Sequence, residues 1–180
     1  MKKLLLYSSC LFALSACHTK IDKPVTDSVA VYHVPEEKAI KKAVDDAYAS
    51  ICFKKGEQPR YDDIRKAFIP KAQLINFRSD TAQVTNLEQF IYLYRTVVEG
   101  DSLQSFYEDE LYGKTEQFGK IAERISTYKT TLEGKTVEYE RGVNSFQLVK
   151  TPDGWKVSSI IWDVEKKGLP VPGYYLGKGN

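Results

Sequence analysis

Six carboxylates, Asp80, Glu108, Glu110, Glu116, Glu123 and Asp163, fall on or beside β-rich stretches of the chain. A carboxyl group taken out of water is raised in pKa and then serves as an acid or a base beside an apolar ligand. Nothing in the spacing singles out one of the six, and strand charges ordinarily face water or pair with cations such as Arg78, Arg124 and Arg141. Histidine chemistry has little to work with, because the two histidines, His18 and His33, both precede the folded part. Cys52 follows Ala47, Tyr48 and Ile51 on an apolar helical face and reads as a small core residue rather than a nucleophile. No Gly-rich phosphate loop, nucleophile elbow, HExxH or CxxC motif is present, so no cofactor and no metal site is expected.

The first residues carry an address. Met1-Lys2-Lys3 is a basic start, and Leu4 to Leu14 is an apolar run of signal-peptide length, too short for a permanent span. It ends in Leu14-Ser15-Ala16-Cys17, which resembles the lipobox of bacterial lipoproteins. That resemblance implies cleavage before Cys17, thioether attachment of diacylglycerol to its sulfur and acylation, typically palmitate, of the new amino group. A plain secretory signal cut after Ala16 is the alternative. His18, rather than Asp, after the acylated cysteine favours onward sorting to the outer membrane by the usual lipoprotein rule. Cleavage there removes Lys2 and Lys3 and no acid, so 26 basic against 24 acidic residues becomes 24 against 24. A neutral domain offers no electrostatic footprint for nucleic acid, and its membrane partner is lipid through Cys17.

Four segments follow: residues 1–16 as lipoprotein signal peptide, 17–35 as lipidated tether, 36–166 as the domain, and 167–180 as an irregular tail that wraps over the sheet. From Pro35-Glu36-Glu37, Ile40, Ala43, Val44, Ala47, Tyr48 and Ile51 recur at helical spacing, until Gly56 and Pro59. Asp62 or Asp63 caps a shorter helix with Ile64, Ala67 and Phe68, which Pro70 ends. Leu74 to Arg78 reads as a short strand before a Ser79-Asp80 turn. Asn86-Leu87-Glu88-Gln89 has the form of a capping box, opening a helix with Leu87, Phe90, Ile91, Tyr94, Val97 and Val98 inward and Gly100 beyond its end. Four β-rich runs close the domain, Phe106–Gln117, Ile121–Leu132, Val137–Lys150 and Trp155–Glu165. Gly119, Glu133-Gly134-Lys135 and Thr151-Pro152-Asp153-Gly154 turn them back on one another. The order predicts an α+β fold in which helices cover the hollow of a curved, mainly antiparallel sheet.

Phe118-Gly119-Lys120-Ile121-Ala122, Ser126-Thr127-Tyr128, Arg141 to Val149, Gly154-Trp155-Lys156-Val157 and Ser159-Ile160-Ile161-Trp162 carry a family resemblance. Over about Glu37 to Glu165 the chain resembles the nuclear transport factor 2-like superfamily, the cone-shaped α+β roll shared with ketosteroid isomerase and SnoaL-type polyketide cyclases. The resemblance implies a pocket inside the cone and a homodimer through the outer face of the sheet. In the superfamily's enzymes a carboxylate or His faces hydrogen-bond donors in that cone, but no His lies inside this domain and no catalytic carboxylate can be matched residue by residue. The preferred expectation is therefore a periplasm-facing binding domain for a small apolar ligand or a protein partner. An isomerase, cyclase or dehydratase using a cone carboxylate and Tyr is the alternative. Strand alternation makes Arg124, Ser126, Tyr128, Asn144, Gln147 and Trp162 the pocket candidates, although both sheet faces carry apolar groups and alternation does not say which is concave.

Overall fold

Helix α1 (Glu37–Ile51) forms where the three-and-four spacing predicts, with Ile40, Ala43, Val44, Ala47 and Tyr48 all buried along one stripe. Its outer face carries the i,i+4 pairs Lys41–Asp45 and Lys42–Asp46. The computed structural model describes residues 33–132 and 140–179. The signal segment, Cys17, most of the tether and the Glu133-Gly134-Lys135 turn lie outside the described residues.

Helix α2 (Tyr61–Ala67) starts slightly earlier than its acids suggest. Arg60 occupies the N-cap, and Asp62 and Asp63 sit inside the first turn, where they complement the helix dipole. The helix stops before Pro70, because Phe68 already begins strand β1 (Phe68–Asn76). Pro70 stands where the pairing of β1 is irregular, between Phe68 and Gln73, so its missing N–H breaks no ladder bond. A short strand β2 (Gln83–Asn86) pairs antiparallel with the end of β1. Asn86 then caps α3 (Leu87–Gly100): its side chain accepts from the Gln89 N–H, and Gln89 bonds back to the Asn86 N–H. Gly100 is the last helical residue rather than a residue beyond the end, and the left-handed turn falls on Ser102, with φ of 49°.

Strands β3 (Tyr107–Phe118), β4 (Ile121–Thr131), β5 (Glu140–Thr151) and β6 (Gly154–Val164) follow as an antiparallel meander, each within a few residues of expectation. The sheet order is β2-β1-β6-β5-β4-β3, and β1 lies parallel to β6. Long-range parallel pairing leaves no local turn signal, which is why the sequence order alone shows only the meander. The three helices bury Ile40, Val44, Ile64, Leu74, Phe146 and Val157 against one face.

Two bulges decide which side chains reach that face. In β3 the register shifts between Glu110 and Tyr112, so Glu108 and Glu110 point inward before it and Thr115 and Gln117 after it. In β6 the shift lies opposite Gln147 and Leu148, so Trp155 and Val157 face the helices, and then Ile160 and Trp162 do. Strict alternation would group Val157 with Ser159 and Ile161, and it fails there.

The tail crosses the opposite face. The Glu165 carboxylate accepts from the Val171 N–H and from Arg141, Thr127 Oγ1 donates to the Tyr175 carbonyl, and a 3-10 turn runs from Gly173 to Leu176. Gly177, at φ of 68°, lies under the Tyr112 ring, where a Cβ would come within 2.8 Å.

Candidate functional site

The helical spacing that makes α3 amphipathic puts Phe90, Tyr94 and Val97 on one line facing the sheet, and they do not quite reach it. A cavity of about 400 Å³ remains between α3, the second half of α1 and the sheet. Its walls are largely aromatic. Phe90 stacks on Tyr94 at 6.3 Å, meets Trp162 edge-on at 6.4 Å, and Tyr94 meets Phe106 edge-on at 5.8 Å. Tyr48 and Tyr128 line it from α1 and β4.

Glu108 lines this cavity from β3, on the inward face it shares with Glu110 ahead of the bulge. Its Oε2 accepts from Thr130 Oγ1 at 2.9 Å, the carboxylate's one hydrogen bond among the described residues, and Oε1 has no partner there. Burial pushes the carboxyl up to about 7, with the nearby Glu140 charge adding to it, against the opposing Thr130 bond and Arg78 charge. Glu140 accepts from Tyr128 Oη at 3.0 Å and pairs with Arg78 at 2.7 Å. Tyr128 lies flat enough to make that bond because its neighbour on β5 is Gly142, where a Cβ would meet Tyr128 Oη at 2.8 Å and the Asp163 carbonyl at 2.4 Å.

Tyr128 and Trp162 thus stand on the cavity lining. Arg124, Ser126 and Asn144 share its sheet face but not its surface. Arg124 makes a two-pronged pair with Glu110, at 2.6 and 2.8 Å, and bonds Thr115. Ser126 Oγ donates to Glu110 at 2.7 Å and lies 2.7 Å from Tyr48 Oη, which accepts from Asn144 Nδ2 at 2.8 Å. The network fastens α1 to the sheet and fixes the Tyr48 ring at the cavity wall. Burial alone would raise the Glu110 carboxyl, but bonds from Arg124 and Ser126 and the charges of Arg124 and Lys41 outweigh it and hold it below its ordinary value. Gly113 leaves room for the guanidinium, since a Cβ there would lie 2.4 Å from Arg124 Nη2. Gln147 corrects the expectation: it is exposed on the opposite face, beside Ser145, one alternation step from the buried Phe146.

The other carboxylates face elsewhere. Asp80 is in an exposed turn, Glu116 lies 3.7 Å from Lys114, Glu123 accepts from Ser145, and Asp163 accepts from the Val164 N–H and Lys166. Cys52 ties α1 to β3, accepting from the Glu108 N–H at 3.2 Å and donating to the Tyr48 carbonyl at 3.2 Å. Burial pushes its thiol up to about 11, which suits a tie and not a nucleophile. Among the described residues no cluster of His, Cys, Asp and Glu has the arrangement of a metal site, and no helix is long and apolar enough to cross a membrane.

No family model and no curated protein matches the chain. Solved structures do resemble it. A protein of unknown function with a cystatin-like fold from Nostoc punctiforme superposes with a TM-score of 0.59 at 10% identity, over 74% of this chain and 93% of that one. A nuclear transport factor 2-like protein of unknown function from Shewanella baltica gives 0.51 at 17% identity, over 76% and 99%. The putative calcium/calmodulin dependent protein kinase II association domain from Xanthomonas campestris gives 0.57 at 13%, over 76% and 94%. At these identities the likeness shows the fold alone, a nuclear transport factor 2-like α+β roll.

Proposed function

We propose that this roll is a binding domain, tethered to the membrane on the periplasmic side by lipid on Cys17, whose cavity takes a small, largely apolar molecule. The observation that carries the binding reading is the aromatic cavity with one carboxyl oxygen, Glu108 Oε1, left without a partner among the described residues. The Leu14-Ser15-Ala16-Cys17 sequence supports the tether, and His18 supports sorting to the outer membrane. Native mass spectrometry of the chain purified from its own cells tests both parts. Acyl mass on Cys17 and a co-purifying small molecule are expected. A chain without acyl mass overturns the anchor, and one that neither carries a ligand nor is stabilised by any ring compound overturns the binding site.

Proton transfer is the second reading, favoured by one observation. A carboxyl held near 7 beside Tyr128 is poised to give or take a proton at neutral pH. Deuterium uptake from heavy water into the bound ligand, lost in Glu108→Gln, distinguishes an isomerase or dehydratase from a pure binder. A homodimer through the outer sheet face is a further part of the proposal, supported by the exposed Val84 and Ile161 there. That face is shared with the tail, and light scattering across micromolar concentrations reads the mass.

A further inference from the structure

The cavity's hydroxyl groups point their protons away from it. Tyr94 Oη donates to the Ile51 carbonyl, Thr85 Oγ1 to the Leu74 carbonyl and Thr96 Oγ1 to the Tyr92 carbonyl. A carbonyl only accepts, so the direction of each bond is settled by chemistry. Tyr128 Oη donates to Glu140, a carboxylate paired with Arg78. Thr130 Oγ1 donates to Glu108. Tyr48 Oη gives its proton to Ser126 Oγ, whose own goes to Glu110. What these six oxygens leave for the interior is lone pairs, and to them is added Glu108 Oε1.

Donors on the lining are few: the Arg78 guanidinium, whose charge reaches Glu108, is held by Glu140, and the Gln83 amide stands on β2 at the opposite edge of the sheet. Asn76 Nδ2 is committed to Gln83 Oε1, and Arg78 to Glu140. The Trp162 indole belongs to β6, three strands away from Glu108 on β3. Around the carboxyl itself the surface offers acceptors and ring faces. An acceptor-only polar spot inside an aromatic wall is matched by a donor, and best by a charged one. Ammonium supplies three N–H groups for fixed lone pairs, and its charge is favoured by both the carboxylate and the electron-rich ring faces. With Glu108 ionised, a ligand carbonyl would place its lone pairs against lone pairs, and a ligand carboxylate its charge against that of Glu108.

We infer that the ligand is a protonated amine on an apolar, ring-sized skeleton, with its ammonium group bonded to Glu108 Oε1 and its rings between Phe90, Tyr94 and Trp162. This rests on the cavity being a binding site. The pairing of Glu140 with Arg78 keeps that guanidinium from cancelling the attraction.

Isothermal titration of the purified full chain at about pH 8 tests it, with naphthalen-2-ylmethylamine and naphthalen-2-ylmethanol as probes of matched shape. At that pH Glu108 is ionised and the amine is still charged. The amine should bind about tenfold more tightly than the alcohol, the difference expected for a desolvated charge-assisted bond. In Glu108→Gln that preference should vanish, with the alcohol's affinity within about twofold of the parent's, since the ring contacts remain. An alcohol bound as tightly as the amine by the parent chain overturns the amine assignment and leaves the cavity as an apolar binding site. A preference that persists in Glu108→Gln overturns the role of Glu108. Binding of neither probe removes the binding reading and this inference together.

Discussion

Glu108 makes the stability of the fold depend on pH in an unusual direction, and Glu108→Gln isolates the effect. The carboxyl rises from 4.5 in the unfolded chain to about 7 in the fold, chiefly through burial. Below about 4.5 it is protonated in both states and contributes nothing pH-dependent. Between 4.5 and about 7 the unfolded chain loses the proton while the fold keeps it, so stability falls as pH rises. At about 1.36 kcal/mol per pH unit, the full loss is roughly 3 kcal/mol once the pH is well above 7. Glutamine keeps an oxygen to accept from Thr130 but does not titrate. Urea unfolding of both chains at pH values from about 4 to 8 gives the difference in stability directly. The variant should gain on the parent steadily across that range, by about 3 kcal/mol in total. Carboxylates held low, such as Glu110 and Glu165, work the other way, adding stability that is lost as pH falls. They are common to both chains and cancel in the difference. A difference that does not change with pH would refute the argument that Glu108 is buried against the cavity.

Three further outcomes follow from contacts named above. Gly142→Ala forces a methyl onto the Asp163 carbonyl and the Tyr128 ring and should cost about 1–3 kcal/mol in urea unfolding, with the near-ultraviolet tyrosine signal altered. Arg124→Met leaves Glu110 charged and buried and should cost about 3–5 kcal/mol, whereas Arg124→Met with Glu110→Leu should recover most of it in a double-mutant cycle. Asn86→Ala removes the side-chain acceptor of the capping box while the backbone N–H at 86 keeps its bond to Gln89, and should cost about 1 kcal/mol, with no change in the pH dependence of unfolding.

The helices were legible because their evidence is local. The α1 stripe and the Asn86–Gln89 box each sit within a turn or two of the residues they organise, so the spacing of Ile40, Val44 and Ala47 and the identity of Gln89 carry the information. The β1–β6 pairing is not of that kind. Leu74 meets Ile160 across 86 positions of chain, and nothing near either residue announces the other. Sequence order accordingly yields the meander and a mainly antiparallel sheet, and this pairing is not in it.

The site was half legible for a sharper reason. Alternation along β4 and β5 is unbroken, and it groups Tyr128 with Ser126 and Asn144 with Phe146 as the structure does. Yet sharing a face does not put a residue on the cavity surface. Arg124, Ser126 and Asn144 reach the same side, but α1 lies over them, Glu110 takes the hydrogen bonds of Arg124 and Ser126 and Tyr48 that of Asn144, while α3 stands off from Tyr128 and Trp162 and leaves the space. Glu108 and Glu110 are two residues apart, of one type and on one face, and differ only in what lies opposite. Glu110 meets a guanidinium and drops below its ordinary value, whereas Glu108 meets a single hydroxyl and rises. Their contrast comes from the helix that covers each and from the bulge after Glu110. Without that extra residue in β3, Thr115 and Gln117 would face out whenever Glu108 and Glu110 faced in, and Arg124 would have neither Thr115 nor the gap at Gly113. The irregularity in β3 thus builds the network that fastens α1 and the Tyr48 ring beside the cavity.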